Sequence, residues 1–180
     1  DSLTNEWSAT TTFRVRSQAT SSPTGLSPTQ VRQAYNLPAL GGSGTIAIID
    51  AYDDPTVQSD FVTFSSQFHL PTTNLQVYKM SPSIRVDGGW ALEISLDVQW
   101  AHAIAPNATI LLVEASSSSF GNLLSAVSYA ASRADVVAIS MSWGGSEFAS
   151  EISYDSYFSA SGKVFFASSG DSGAGVIWPS

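Results

Sequence analysis

Glu93 and Asp97 are the two residues in this sequence best placed to do chemistry together. They sit in Gly88-Gly89-Trp90-Ala91-Leu92-Glu93-Ile94-Ser95-Leu96-Asp97-Val98-Gln99-Trp100. On a helix, a spacing of four puts both on one face, separated by roughly 40°. Ser95, Gln99 and His102 fall on a second face, centred roughly 180° from the first. A solvated acidic pair on a surface helix is the commoner explanation of such spacing. Here the periodicity opposes it: if the Ser95/Gln99/His102 stripe meets water, the carboxylates point inward, flanked by Trp90, Ile94, Leu96, Trp100 and Ala101. Two inward carboxyls that close share a proton over an acidic range, because loss of water and the neighbour's charge both disfavour ionisation. They can then do acid/base work.

Two further segments end in glycines where a ligand could approach the backbone. Ala167-Ser168-Ser169-Gly170-Asp171-Ser172-Gly173 offers one carboxyl, Asp171, although an Asx-turn or cap accounts for a lone Asp between glycines equally well. Ser140-Met141-Ser142-Trp143-Gly144-Gly145 offers an open backbone edge, and a plain tight turn is the competing account. Asp50 reads as a turn or cap residue ahead of Asp53-Asp54-Pro55. His69 and His102 read as structural. Asn107-Ala108-Thr109 matches a glycosylation triplet, which matters only in a secreted eukaryotic protein. The glycines at 41–44 precede a strand rather than follow one, so they form no dinucleotide fingerprint.

The elements that must carry these residues alternate along the chain. Ser27, Pro28 and Gln30 mark a helix start with a capping box. Thr45-Ile46-Ala47-Ile48-Ile49-Asp50 is an apolar run without alternation, as expected of a strand buried on both faces. A helix follows Asp54-Pro55, with Val57, Phe61, Phe64 and Phe68 at helical spacing. Strands are expected at 75–80, 110–114, 136–142 and 164–168, and helices at 90–103, 122–133 and 148–160. That order predicts an α/β fold, a mostly parallel doubly wound sheet with flanking helices. In such sheets the chemistry lies beyond the carboxyl ends of the strands. Residues 1–25 read as an N-terminal extension, with a possible edge strand at 12–16, and residues 26–180 as one domain.

Composition narrows the function. Seven Lys and Arg against fifteen Asp and Glu give the 180-residue chain a net charge of −8, which leaves no electrostatic footprint for nucleic acid or an anionic membrane. Only 12% of residues are charged, and this balance suits an acidic medium. No apolar run is long enough to span a bilayer, and residues 1–30 lack an apolar signal-peptide core. The absence of cysteine excludes disulfides, thiolate metal sites and Cys nucleophiles.

From about residue 26 onward the chain resembles the sedolisins, the serine-carboxyl peptidases related to subtilisin. The resemblance is carried by Leu26-Ser27-Pro28-Thr29-Gln30-Val31-Arg32-Gln33-Ala34-Tyr35, Ile46-Ala47-Ile48-Ile49-Asp50-Ala51-Tyr52, Glu93-Ile94-Ser95-Leu96-Asp97, Ser140-Met141-Ser142-Trp143-Gly144-Gly145 and Ser168-Ser169-Gly170-Asp171-Ser172-Gly173. It implies a subtilisin-like fold, endopeptidase activity at acidic pH, secretion with a removable prosegment, and a calcium ion. It also implies roles: Glu93 as general base, Asp97 as the acid that orients it and shares its proton, and Asp171 as the oxyanion-hole acid. Ser142, Trp143 and Gly144 would line substrate subsites. The chemistry is coherent, because imidazole is already protonated in acid and a carboxylate pair holding one proton can still accept another.

The family's nucleophile lies in a Gly-Thr-Ser motif, and none occurs here: Gly44-Thr45 is followed by Ile46. The expectation is therefore an incomplete catalytic domain, inactive alone. Its partner would be a remainder carrying Gly-Thr-Ser, on the same or a separate chain, and the calcium ligands would lie there too. The main alternative is a catalytically inactive pseudoprotease or binding module. An ordinary subtilisin triad using Asp50 would need a His-Gly pair, which neither His69-Leu70 nor His102-Ala103 supplies. An aspartic peptidase would need a second copy of Asp171-Ser172-Gly173-Ala174 on an all-β scaffold.

Overall fold

The computed structural model describes residues 25–38 and 41–180. The edge strand expected at 12–16 lies outside them. The first helix, α1 (Pro28–Ala34), starts as its sequence dictates: Ser27 and Gln30 exchange both bonds of the capping box, with Pro28 at the first helical position. Then come β1 (Thr45–Ala51), α2 (Val57–Gln67), β2 (Leu75–Lys79), α3 (Gly88–Ile104), β3 (Thr109–Ala115), α4 (Phe120–Ser132) and β4 (Val136–Met141). A 3₁₀ helix (Glu151–Phe158) and β5 (Val164–Ala167) complete the order.

The five strands form one sheet in the order β2-β3-β1-β4-β5, and every pairing is parallel. The expected α/β architecture is therefore present, with helices wound on both faces. Successive side chains of a strand point to opposite faces. Ala47 and Ile49 of β1, with Leu111 and Val113 of β3, join Leu123, Leu124 and Val127 of α4 in one core. Ile48, Ile110 and Leu112 join Val57 and Phe61 of α2 and Ile94 and Val98 of α3 in the other. Burial on both sides is why these strands read as unbroken apolar runs.

Three elements depart from expectation for local reasons. The segment expected as a helix at 148–160 is a 3₁₀ helix, in which Ser153 and Ser159 donate their hydroxyls to the carbonyls of Ser150 and Ser156. Such three-back bonds from serines favour the tighter turn. Helix α3 starts two residues early because Asp87 caps it by accepting the Trp90 N–H, ahead of two glycines that disguise a helical turn. Ser119 does the same for α4.

Candidate active site

The parity of the strands places the site. Asp50 follows Ile46 and Ile48 on the α3-facing side of β1, and Glu114 follows Ile110 and Leu112 on the same side of β3. The two are register partners at the carboxyl ends of adjacent strands. Neither side chain has measurable exposure, at 0% each. Both Asp50 oxygens and Oε2 of Glu114 lack a hydrogen-bond partner.

Helix α3 lies over these ends. Its buried stripe is Ile94, Val98 and His102, spaced by four and sealed by α2 and the sheet. The expectation that Ser95, Gln99 and His102 face water is therefore corrected. His102 is fully buried, its Nε2 lies 2.8 Å from the Pro71 carbonyl, and its ring packs 4.6 Å from that of Phe61. The missed signal was the apolar company at 94 and 98. Ser95 is held as well, donating its hydroxyl to Asp54 Oδ2 at 3.1 Å.

Glu93 and Asp97 occupy the other flank of that stripe, both half-buried. Asp97 Oδ2 is buried without a partner, and the carboxyl lies near Ser142, just after β4. Burial, and then the charge of Glu93, push Asp97 up to about 6, the Ser142 hydroxyl pulling the other way. Burial also holds Asp50 well above the ordinary carboxyl range, reinforced by Asp97, Glu93 and Glu114 in that order. Glu114 is raised to about 7, first by burial; the Asp54 N–H and the Lys79 charge oppose the shift, and the charge of Asp53 adds to it.

Asp50, Glu93 and Asp97 thus form one electrostatically coupled cluster. Buried acids whose oxygens lack donors are stabilised by holding their protons, in keeping with the upward shifts of Asp50 and Asp97. The reading of Asp50 as a turn residue is overturned. An Asp inside a run buried on both faces must itself be buried, and that inference was available from residues 45–51. Glu114, in the equivalent place on β3, carried the same signal.

The chain turns sharply after this cluster. Tyr52 has a left-handed backbone (φ 68°), and its ring is clamped between the Arg85 guanidinium, 4.0 Å from its centroid, and Trp90. The turn sends Asp53 and Asp54 back toward Glu114.

The other residues singled out from the sequence lie at neighbouring strand ends. Trp143 is buried, its indole N–H donating to the Ile49 carbonyl at 3.0 Å, so at that edge it presents backbone rather than ring. Gly144 runs tightly against residues 177–178; a Cβ there would come within 2.6 Å of the Trp178 carbonyl oxygen. Asp171 is exposed in the loop after β5, between Gly170 and Gly173, both with positive φ. It makes no hydrogen bond to the acidic cluster. Among the described residues no group of three or more His, Asp or Glu is arranged to hold a metal ion.

Beside Asp97 the sheet is bare. An apolar groove of about 340 Å³ runs between α3 (Leu96, Trp100) and the strands (Ile48, Ala138, Ser140, Phe166). No helix of the described residues covers β4 and β5 on this face, and Phe166 is 59% exposed.

A parallel sheet in this order, wound on both faces, with acids gathered at the carboxyl ends of its central strands, is a subtilisin-like α/β fold. Among solved structures it is similar to Pseudomonas sedolisin, a serine-carboxyl proteinase in complex with two molecules of pseudo-iodotyrostatin. The TM-score is 0.74 and the identity 23% over 86% of this chain. The chain spans about half the length of that structure, 50% of it being covered. No protein-family model and no curated protein matches the sequence.

Proposed function

We propose that this chain supplies the acid/base half of an acid-active serine-carboxyl endopeptidase. The observation that carries the reading is the coupled cluster of Asp50, Glu93 and Asp97 at the strand ends, with buried oxygens lacking partners, beside an uncovered groove. Glu93 accepts the proton of a serine Oγ as that oxygen attacks the scissile carbonyl, and returns it to the leaving amine. Asp97 orients Glu93 and shares its proton, while its charge helps to keep the buried Asp50 protonated. Asp171, in its protonated form, donates a hydrogen bond to the oxyanion. The backbone of Ser142, Trp143 and Gly144 lines the substrate.

The nucleophile belongs to a segment carrying Gly-Thr-Ser, absent from this sequence. The groove between α3 and β4–β5 is where such a segment would seat its apolar side, bringing its serine near Glu93. A calcium ion would be held outside the described residues. Secretion and a removable prosegment complete the proposal. No helix of the described residues is long and apolar enough to cross a membrane.

The test is peptide cleavage near pH 4 by the chain completed with its Gly-Thr-Ser segment. Glu93→Gln should lower kcat by about 10²–10⁴, as for loss of a general base. Asp171→Ala should lower kcat by about 10²–10³ with little change in KM. Cleavage indifferent to Glu93→Gln would reject the reading. A completed, folded but inactive domain would favour the binding-module alternative.

A further inference from the structure

One buried network lies next to the acidic cluster and is not used by the proposed chemistry. It begins at Glu114, whose Oε1 accepts the backbone N–H of Asp54 at 3.1 Å. Lys79 bridges from β2, 2.7 Å from Asp53 Oδ1 and 3.7 Å from Glu114 Oε2. Asp54, 4% exposed, has its Oδ1 held by both the backbone N–H and the hydroxyl of Thr56, at 2.9 Å each. Its other oxygen takes the hydroxyl of Ser95 on α3 at 3.1 Å. The carboxyl is therefore fixed from behind and aimed at the helix.

Ser95 stands two residues from both Glu93 and Asp97, so it projects roughly 160° from either around the helix axis. The bond lies on one flank of the buried Ile94/Val98/His102 stripe, and the carboxyls lie on the other. Apolar packing resists translation of a helix more than a small roll about its axis. A roll of 20° moves a side-chain end by roughly 2 Å, given a helix radius of about 5–6 Å with side chains. That displacement carries Asp97 from the strand ends toward the open groove that it lines.

We propose that Asp54, backed by Glu114, is a positioning residue that locks the roll of α3 through Ser95 and so sets Glu93 and Asp97 over the strand ends. The inference rests on the reading of Glu93 and Asp97 as the acid/base pair, but its test does not need peptidase activity. The groups that bear on Asp97 are Glu93 on its own helix, Asp50 on β1, and Ser142 after β4. Asp53, Lys79 and Glu114 bear on the tether.

The experiment follows the Asp97 carboxyl by carbon-detected NMR through a pH titration of the whole chain. Ser95→Ala should lower its midpoint by at least about half a unit, as the carboxyl leaves the strand ends and gains water. Ser95→Thr, which keeps the hydroxyl, should restore the midpoint. Ser59→Ala, which removes an exposed hydroxyl bonded to the Thr56 carbonyl on α2, should leave it unchanged. An unmoved midpoint in folded Ser95→Ala, or an equal shift in Ser59→Ala, overturns the tether. The midpoint shift in a chain whose completed domain cleaves no peptide would uphold the tether and reject the peptidase reading.

Discussion

The two faces of the sheet are cut from alternate residues of the same strands, yet they differ in kind. Toward α4 point Ala47, Ile49, Leu111 and Val113, closed over by Leu123, Leu124 and Val127. Toward α3 point Ile48 and Leu112, then one step further along each strand the acids Asp50 and Glu114. The α4 face continues into an aromatic cluster in which Trp178 touches the rings of Phe120, Phe148, Tyr154 and Phe158. The α3 face ends in a bare groove. Both sides carry a packed core, but the buried charge lies on the α3 side alone among these strand ends, so the same strand can be rigid behind the site and costly within it.

The largest expected effect separates the faces by truncation. Leu124→Ala, at a site 2% exposed, should cost about 2–5 kcal/mol in denaturant unfolding. Leu96→Ala, at the 48% exposed rim of the groove, should cost no more than about 0.5 kcal/mol. A loss at Leu96 as large as that at Leu124 would mean that the groove is covered in solution.

The next effect has the opposite sign. Asp50→Asn keeps the shape of the side chain and removes the need for a buried proton. It should raise the Tm at pH 7.5 by about 3–8 °C and change it little at pH 4. A lower Tm at both pH values would show that the carboxylate is held ionised by a favourable partner.

The unsubstituted chain should follow the same logic. A carboxyl whose folded-state pKa is raised binds its proton more tightly when folded, so stability is full below the unfolded value and falls as pH rises toward the folded one. For Asp97 that window runs from 3.8 to about 6, and for Glu114 from 4.5 to about 7. His102 acts in reverse: burial lowers it from 6.5, so its contribution is lost as pH falls below that value. Three acids against one imidazole should leave the Tm higher near pH 4.5 than near pH 7.5, by about 3 °C or more in thermal melts. A flat or inverted profile would place His102 above the acids in weight.

A comparable effect on the α4 side should not depend on pH. Trp143→Phe removes the one indole donor to the Ile49 carbonyl and should cost about 1–2 kcal/mol, independent of pH.

What was legible in the sequence follows the same division. The succession of strands and helices and the parallel, doubly wound architecture could be read because apolar runs and capping residues are local signals; Ser27, Pro28 and Gln30 do in space what they announce in sequence. Glu93 and Asp97 could be found because helical spacing is local too. Asp50 and Glu114 were passed over although their place inside runs buried on both faces marked them as buried; what the runs could not show is that they are register partners on adjacent strands. His102 was misplaced because α2, which buries it, packs there from 35 to 45 positions upstream. The Asp54–Ser95 bond spans 41 positions and has no sequence signature.

The account's central claim is that the α3 face retains protons at pH values where free carboxyls have lost them. The direct measurement is a carbon-detected NMR titration of Asp50, Asp97 and Glu114 in the unsubstituted chain. The account predicts midpoints near 6 for Asp97 and near 7 for Glu114, with Asp50 well above 3.8. Midpoints for all three at about 3.9–4.3, the range of free Asp and Glu, would contradict it.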